Sequence, residues 1–316
     1  MNQKKYLIFG SGFIASHLAN NFKTKGQKVT MLYQVHPSKT FARSRQKKIT
    51  HRVADIKKVI TIYKPNFICL TQGVSYIPHN EKDLKKSINS NVTAPLLVLE
   101  AIRSVNNDGI KLKRILTFGS AAEYNFKHRP SLTREHVLAQ PSSLYGLTKQ
   151  WLYLSSRFYA RLGLPVTHLR LFNIIGAGQN PLFVVSSFCR QVALIEKRRQ
   201  SAIIKIGDLG QQRDFVDVRD LLSAVDIVLN ENKLPDFVDI CSGKTHFVRD
   251  IIEILKQLSA TSFKTKIDKR LVIPFRSKNK IVAGNPDTLI KLGWKPRYNL
   301  RASVEWTLDY WRKNIS

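Results

Sequence analysis

Short apolar runs alternate with amphipathic stretches along the first half of the chain. The runs are almost continuous, which is typical of strands buried on both faces of a sheet. The stretches between them repeat apolar residues three and four positions apart, which indicates helices. This alternation predicts an α/β fold of the Rossmann type, a doubly wound parallel sheet. The strands predicted in this way cover residues 6–9, 28–33, 50–54, 67–71, 114–119 and 165–172.

The rhythm becomes less regular after about residue 180. The chain is therefore expected to form a larger Rossmann domain over residues 1–180 and a smaller, interleaved C-terminal α/β lobe over residues 181–316. Part of 207–245 is expected to return to the first domain. In the second part, strands are predicted at 202–206 and 237–240, and helices at 183–197, 248–258 and 300–311.

Two local signals concern helices of the first domain. Asp55 precedes an amphipathic stretch over residues 56–63 and is predicted to be its N-cap. A long helix is predicted from about residue 81, and it contains Pro95. A proline inside a helix removes a hydrogen bond, so the backbone there must adjust locally.

The charge balance is strongly basic. Lys and Arg number 52 against 22 Asp and Glu, which gives a net charge of +30 over 316 residues. The basic residues are spread along the chain, with no basic arm and no RNA-binding aromatic motif. A basic surface that steers an anionic substrate is therefore favoured over a nucleic-acid partner.

Hydropathy and cysteine usage indicate a cytoplasmic protein. No apolar run approaches the roughly 18 residues that span a bilayer, so no membrane insertion is expected. Cys69, Cys189 and Cys241 lie far apart in apolar surroundings, without metal-ligand or disulfide spacing. They are predicted to be buried, reduced thiols, and no metal site is expected.

A glycine-rich turn joins the first predicted strand to the first predicted helix. It reads Gly10-Ser11-Gly12-Phe13-Ile14-Ala15, a G-x-G-x-x-A match in the strand–turn–helix context that makes the motif informative. Gly10 permits the tight turn, and Gly12 lets a pyrophosphate approach the helix N-terminus. The turn predicts a dinucleotide cofactor.

The segment after the second strand indicates which dinucleotide. An NAD site places a carboxylate there on the ribose 2′-hydroxyl. Here no carboxylate occurs before Asp55, whereas Ser38, Lys39 and Arg43 follow the strand. This composition suits a 2′-phosphate, so NADP(H) is favoured over NAD(H).

The candidate chemistry lies between residues 120 and 149. Ser120 follows the fifth predicted strand, and Tyr145 and Lys149 stand four residues apart, one turn from each other on a helix. A lysine cation beside a phenol favours the phenolate and lowers its pKa from about 10. Such a tyrosine can exchange a proton with a hydroxyl or carbonyl oxygen.

Motifs over nearly the whole chain resemble the extended short-chain dehydrogenase/reductase family, and within it the GDP-4-dehydro-6-deoxy-D-mannose reductases. Besides the glycine turn and Tyr145-x-x-x-Lys149, they comprise Leu171-Phe-Asn173, Arg213-Asp-Phe-x-Asp217-Val-Arg-Asp220, Leu292-Gly-Trp294-x-Pro296, Phe188-x-Arg190-Gln191, Ile240-Cys-Ser-Gly243 and Asp309-Tyr-Trp311.

The resemblance implies NADP(H)-dependent reduction of the 4-keto group of a nucleotide-linked 4-keto-6-deoxyhexose, which supplies a deoxysugar for surface polysaccharide. Hydride reaches C4 while Tyr145 protonates the C4 oxygen, Ser120 hydrogen-bonds that oxygen, and Lys149 holds the nicotinamide ribose. It also implies a homodimer formed by the helix around residues 91–102 and the helix that follows Tyr145.

The resemblance further assigns binding residues. The cofactor is expected to contact Gly10, Ser11, Gly12, Phe13, Ile14, Ser38, Lys39, Arg43, Asp55, Ile56, Thr71, Gln72, Gly73, Asn91, Tyr145 and Lys149. The nucleotide-diphosphate sugar is expected to contact Ser120, Ala121, Asn173, Val185, Arg190, Arg213 and Arg276.

The absence of an acidic residue at position 122 narrows the possible chemistry. Related 4,6-dehydratases carry an acidic base two positions before the tyrosine that closes this motif, and here that position is Ala122, before Tyr124. Glu123 is one residue away and is expected to point elsewhere. Two alternatives to a reductase remain: a nucleotide-sugar 4-epimerase with bound NAD, and a non-catalytic basic relative that binds RNA or an anionic surface.

The sequence also departs from the family pattern. The glycine turn lacks the spacing G-x-x-G-x-x-G of many members, and Ala121 and Ala177 replace residues that are often Ser and Pro. Residues 271–277, which include Arg276, lack an Arg-Pro-Ser-Asp pattern. This last departure leaves the nucleotide base and the sugar open.

Overall fold

A computed structural model describes residues 3–34, 36–38, 45–50, 52–75, 81–105, 110, 112–124, 141–271 and 281–315. The chain divides into two compact units. The first comprises residues 1–125, 138–171 and 225–238, and the second comprises residues 126–137, 172–224 and 239–316.

A seven-stranded sheet organises the first unit, in the order β11-β6-β5-β4-β1-β2-β3. Parallel ladders connect β6 through β3, as the apolar alternation predicts. The strands are β1 Lys5–Phe9, β2 Lys28–Tyr33, β3 Gln46–Lys48, β4 Phe67–Leu70, β5 Arg114–Ser120, β6 Val166–Leu171 and β11 Phe237–Ile240. The helices are α1 Phe13–Thr24, α2 Val53–Tyr63, α3 Glu81–Ile88, α4 Ala94–Val105 and α5 Leu144–Arg161.

Both faces of this sheet are covered. Leu7 and Phe9 of β1 pack into an apolar cluster with residues of α2 and α4. Tyr6, which points the other way, stacks on Phe22 of α1 with 4.1 Å between ring centroids. Alternate residues of one strand therefore enter two apolar layers, which is why the strand reads as a continuous apolar run.

The prediction for residues 50–63 was wrong in detail. The third strand is Gln46–Lys48, and α2 begins at Val53 after Arg52 as N-cap, not at Ile56 after Asp55. The hydropathy pattern did not predict this strand because it is an edge strand whose polar side chains are half-buried or exposed. Thr50 organises the helix start: its hydroxyl accepts from the Arg52 amide and donates to the Asp55 carboxylate.

The adjustment expected near Pro95 is a π-helical turn over Asn89–Thr93, between α3 and α4. Asn91 lies four residues before Pro95 and is fully buried in this turn. The wider turn accommodates the proline, which has no amide to donate.

The second unit is built on a separate apolar core, in which residues of α6, α8 and α10 enclose β8. Its small ladders are β10–β7, β12–β9–β14 and β13–β8, several of which the sequence did not predict. The strands are β7 Asn173–Ile175, β8 Ile203–Ile206, β9 Gln212–Arg213, β10 Phe215–Asp217, β12 His246–Phe247, β13 Lys264–Ile267 and β14 Ile281–Val282. The helices are α6 Val184–Glu196, α7 Val218–Asn230, α8 Val248–Leu258, α9 Asp287–Lys291 and α10 Leu300–Asn314. Of α7, residues 218–224 belong to this unit and residues 225–230 to the first.

The sequence predicts no membrane-spanning segment and three buried thiols. Among the described residues, none of the helices has the length and hydropathy of a membrane span. Cys69, Cys189 and Cys241 are free, buried thiols, as predicted. Burial raises the pKa of the Cys69 thiol to about 12, so this thiol is unreactive at neutral pH.

Candidate active site

The glycine turn has the geometry that the motif predicts. Gly10 adopts a φ of +123°, and a Cβ there would lie 2.4 Å from Thr71 Oγ1. Gly12 is the N-cap of α1, and a Cβ on it would meet no atom within 4 Å. The main chain at Gly10 therefore lies tight against the residue that follows β4, while open space remains at the N-terminus of α1. The N-terminus of a helix favours an anionic group such as a pyrophosphate.

The loop after β2 is tied to this turn. Ser11 Oγ donates to the carbonyl oxygen of His36 at 2.6 Å. Ser38 is buried, and its hydroxyl lies 2.6 Å from Ser16 Oγ. Its backbone amide donates to Gln46 Oε1, and its carbonyl oxygen accepts from Gln46 Nε2. Lys39 and Arg43, the two cations expected to contact a 2′-phosphate, lie outside the described residues.

Other cofactor candidates are less accessible. Phe13 and Ile14 are half-buried at the start of α1, and Phe13 packs edge-on to His17. Ile56 is 2% exposed and packs in the apolar core against α4. Asp55 remains half-buried and bonded to Thr50.

The end of β4 meets α4 and α5 through Asn91. Its side chain accepts from the Val74 amide at 2.8 Å and donates to the Val74 carbonyl and to Thr148 Oγ1. Gly73 has a φ of +146°, and a Cβ on it would stand 3.0 Å from Lys149 Nζ. Asn91 thus fixes the main chain at Val74, next to Gly73, which lies beside Lys149.

Ser120 ends β5 and caps the 3₁₀ turn Ala121–Glu123. Its Oγ accepts from the Ala122 amide at 3.2 Å, and its own amide donates to Glu123 Oε1 at 2.8 Å. Because Oγ accepts from the main chain, its O–H can be donated to a ligand oxygen. Ala121, the next residue, is 7% exposed.

Lys149 is fixed to the same strand end. Its Nζ donates to the Phe118 carbonyl at 2.9 Å, and the side chain is 5% exposed. Burial lowers the pKa of Lys149 to about 8, although the Glu123 carboxylate acts in the opposite direction. The ammonium is therefore held in a site where its charge is costly.

Tyr145 lies one turn before Lys149, in the first turn of α5. Its carbonyl accepts from Thr148 Oγ1 at 2.8 Å. Gly146 allows the close approach of this helix, because a Cβ there would lie 2.1 Å from the Ala122 carbonyl oxygen. The helix that carries Tyr145 and Lys149 therefore rests directly on the turn that follows Ser120.

A buried charged cluster beneath this turn was missed from the sequence. Glu123 is fully buried, and its Oε2 accepts from Arg170 Nε at 2.7 Å, while Oε1 lies 3.1 Å from His168 Nε2. Burial raises the pKa of the Glu123 carboxyl, but His168 and Arg170 outweigh it and hold that pKa below its usual range. The overlooked signal was the pair of polar residues inside the apolar run at 165–172, since buried charge requires a partner.

The substrate candidates of the second unit have local partners there. Asn173 Nδ2 donates to the Asp214 carbonyl at 3.2 Å, and Arg213 Nη1 donates to the Gln212 carbonyl at 2.7 Å. Arg190 is exposed, with its guanidinium 5.8 Å from the Trp311 ring. Val185 is fully buried, so its side chain serves the core of this unit. Arg276 lies outside the described residues.

The sequence of the chain matches a family model. The model described as "NAD dependent epimerase/dehydratase family" matches residues 6–241. The chain belongs to this family. A GDP-6-deoxy-D-mannose reductase from Pseudomonas aeruginosa is 26% identical over 254 residues, which is 79% of this chain and 82% of that protein.

Two solved structures show the same fold. RMD from Pseudomonas aeruginosa complexed with NADPH has a TM-score of 0.83, with 23% identity and coverage of 99% of this chain and 100% of that one. UDP-glucose 4-epimerase from Thermus thermophilus complexed with NAD also has a TM-score of 0.83, with 18% identity and coverage of 98% and 100%. Both identities are too low to transfer more than the fold.

Proposed function

We propose that this member of the family is an NADP(H)-dependent reductase of a nucleotide-linked 4-keto-6-deoxyhexose. The substrate would be GDP-4-dehydro-6-deoxy-D-mannose, and the product GDP-D-rhamnose or its C4 epimer, a deoxysugar donor for surface polysaccharide. The observation that carries the proposal is the arrangement at the end of β5. Ser120 and Lys149 are both anchored there, and Tyr145 stands one helical turn from Lys149.

The chain supplies acid catalysis and positioning. Tyr145 donates its phenolic proton to the C4 oxygen, and the Ser120 hydroxyl donates a hydrogen bond to the same oxygen. The Lys149 ammonium holds the nicotinamide ribose and stabilises the phenolate that Tyr145 becomes. When bound, the reduced nicotinamide supplies a hydride to C4, and the open helix N-terminus at Gly12 suits its pyrophosphate.

The side chain at position 122 distinguishes reduction from dehydration. A 4,6-dehydratase needs a base for the proton at C5, and Ala122 has no group that can accept one. Glu123 does not replace it, because its carboxylate is buried and bonded to Ser120, Arg170 and His168. The similarity to a GDP-6-deoxy-D-mannose reductase supports the same choice.

NADP(H) is the proposed cofactor. Its support is the absence of a carboxylate between the end of β2 and Asp55. Asn173, Val185, Arg190, Arg213 and Arg276 stay predictions for contacts with the nucleotide sugar.

We also propose a homodimer through α5. Trp151, Leu154 and Phe158 of this helix and Leu162, its C-cap, follow one another at three- and four-residue spacing and form a stripe. Their side chains are 38%, 49%, 58% and 50% exposed, respectively. A contiguous exposed apolar stripe on a helix is typical of an interface, and a second copy of α5 would cover it.

The deciding experiment is an assay of the purified chain with GDP-4-dehydro-6-deoxy-D-mannose, and with other 4-keto nucleotide sugars, against NADPH and NADH. Oxidation of NADPH with a 4-hydroxy product, assigned by NMR, is expected. NADPH that remains unconsumed with every substrate would refute the proposal. NAD released on denaturation of the purified protein would instead indicate a 4-epimerase.

A further inference from the structure

Phe118, Gly119 and Ser120 lie consecutively at the end of β5, where the Lys149 ammonium and the Ser120 hydroxyl are both anchored. The Phe118 carbonyl accepts from Lys149 Nζ, and the Ser120 amide donates to Glu123 Oε1. Between them, a Cβ on Gly119 would lie 2.2 Å from Glu123 Oε1 and 2.1 Å from His168 Nε2. The Glu123 carboxylate therefore lies directly against the main chain that carries both anchors.

The carboxylate is itself held in place by neighbouring elements. Arg170 and His168 of β6 bind its two oxygens, and their positions follow from the β5–β6 register, in which Gly119 faces Arg170 and Thr117 faces His168. His168 Nδ1 lies 2.9 Å from Thr117 Oγ1, which lies 2.9 Å from Ser156 Oγ of α5. The network thus connects β5, β6 and α5.

Stability alone does not account for such a cluster. A buried ion pair contributes little net stability compared with apolar residues of similar volume, because desolvation of the charges offsets their attraction. The buried Glu123 carboxylate, which lies close to the buried Lys149, can instead serve the candidate active site. It supplies negative charge near the ammonium and fixes the main chain that carries the hydroxyl.

We propose that Glu123 is a positioning residue, which orients Ser120 through its amide and keeps Lys149 charged. This inference rests on the proposed carbonyl reduction and deepens it. Glu123 acts through these two residues and touches neither substrate nor cofactor in this assignment.

The ionisable groups around the carboxylate are those of β6, α5 and the 3₁₀ turn. Burial lowers the pKa of His168 against the opposing effect of Glu123, so this imidazole is neutral at pH 7. Arg170 remains charged, and its Nη1 donates to Tyr124 Oη at 2.8 Å. Lys149 and Tyr153 of α5 both interact electrostatically with Glu123. Among these groups, Lys149 is the one with a pKa near 8.

Two substitutions separate the two roles. Glu123→Gln keeps an oxygen for the Ser120 amide but removes the charge. Without the carboxylate the pKa of Lys149 should fall, so the decrease of kcat at alkaline pH should begin about one pH unit lower. Above that pH, turnover should be about tenfold lower than in the wild type. Glu123→Asp keeps the charge but is one methylene shorter, so it loses its reach to Ser120. Here kcat should fall about tenfold at every pH, with the alkaline limb unchanged.

The matched control is Glu253→Gln, which removes an exposed carboxylate paired with Lys256. Its kcat and pH profile should equal those of the wild type. The proposal is overturned if both Glu123 variants change only the melting temperature and keep wild-type kcat and pH profile. A purely structural cluster would give that result.

Folding failure and failure of the proposed reaction are both distinguishable outcomes. If Glu123→Gln does not fold, the double variant Glu123→Gln/Arg170→Met removes the stranded guanidinium. Wild-type kcat and pH profile in that variant would overturn the proposal, and a shifted alkaline limb would support it.

If the wild type binds NADPH without turning over any keto sugar, the proposed function fails. The inference is then decided by NADPH affinity, which should weaken above pH 8 in the wild type and at lower pH in Glu123→Gln. A flat affinity profile in the wild type contradicts it.

Discussion

Lys149 Nζ donates a hydrogen bond to the carbonyl oxygen of Phe118 at 2.9 Å, two residues before Ser120. The ammonium and the hydroxyl are thus anchored to one strand end, although Lys149 and Ser120 are 29 positions apart in sequence. The arrangement leaves Lys149 almost without solvent, and this burial has a measurable consequence for pH dependence.

Turnover should decrease as pH rises through about 8, because burial lowers the pKa of Lys149 to about 8 and the charged form is the one required. Stability should change in the opposite direction. The pKa in the folded state lies below the ordinary value of 10.5, so the unfolded chain binds more protons between these values and the free energy of unfolding rises there. Measurements of kcat and of Tm against pH check both signs.

Lys149→Met is the control for this pair of trends. It should lose the rise in Tm between pH 8 and 10.5, since the titrating group is gone. A turnover profile that stays flat through pH 9 in the wild type would contradict the assignment of a charged Lys149.

Tyr145→Phe should lower kcat by about 10² to 10⁴-fold, the usual contribution of a general acid. Binding of NADPH should be retained, because only the phenolic oxygen is removed. Stopped-flow turnover and calorimetric titration with NADPH measure the two quantities. The exposed Tyr298→Phe of the second unit is the matched control and should keep wild-type turnover. Equal turnover in Tyr145→Phe and wild type would exclude Tyr145 as the acid.

The two glycines of the turn should respond differently to alanine. Gly10→Ala places a Cβ 2.4 Å from Thr71 Oγ1 at a φ of +123°, so it should lower the free energy of unfolding by about 1–3 kcal/mol or more. Gly12→Ala meets no atom within 4 Å at a φ of −78°, so the fold should be unchanged. Its methyl group would occupy the open space at the helix N-terminus and weaken NADPH binding about tenfold, or about 1.4 kcal/mol.

Thermal unfolding and NADPH titration of both variants separate these effects. The interpretation of the turn as a cofactor site is wrong if Gly12→Ala binds NADPH as tightly as the wild type. Normal stability of Gly10→Ala would show that the contact with Thr71 is not tight in solution.

The glycine turn and the buried strands were predictable because each depends on residues adjacent in sequence. Gly10 reflects a local backbone requirement, and the continuous apolar run at residues 67–70 reflects burial on both faces. The polar edge strand at Gln46–Lys48 carries no such signal, since only its main chain is needed to extend the sheet.

The Glu123–Arg170 pair shows why part of the candidate site could not be predicted. The two residues are 47 positions apart, and they meet because the β5–β6 register places Arg170 opposite Gly119. Apolar periodicity specifies each strand but not its register with a neighbour. The sequence predicted that Glu123 points away from the position of a base at C5, yet it did not show what the carboxylate binds.

Phe158→Glu should convert the protein from a dimer to a monomer, because it places a charge in the middle of the exposed apolar stripe of α5. Ile62→Glu is the matched control. Ile62 is 73% exposed on α2, outside the stripe, so the same charge there should leave the dimer intact. Light scattering coupled to size-exclusion chromatography gives the mass of each variant. A wild type that elutes as a monomer of 36.2 kDa at micromolar concentration would rule out the proposed interface. Dissociation of both variants would instead place the interface beyond α5.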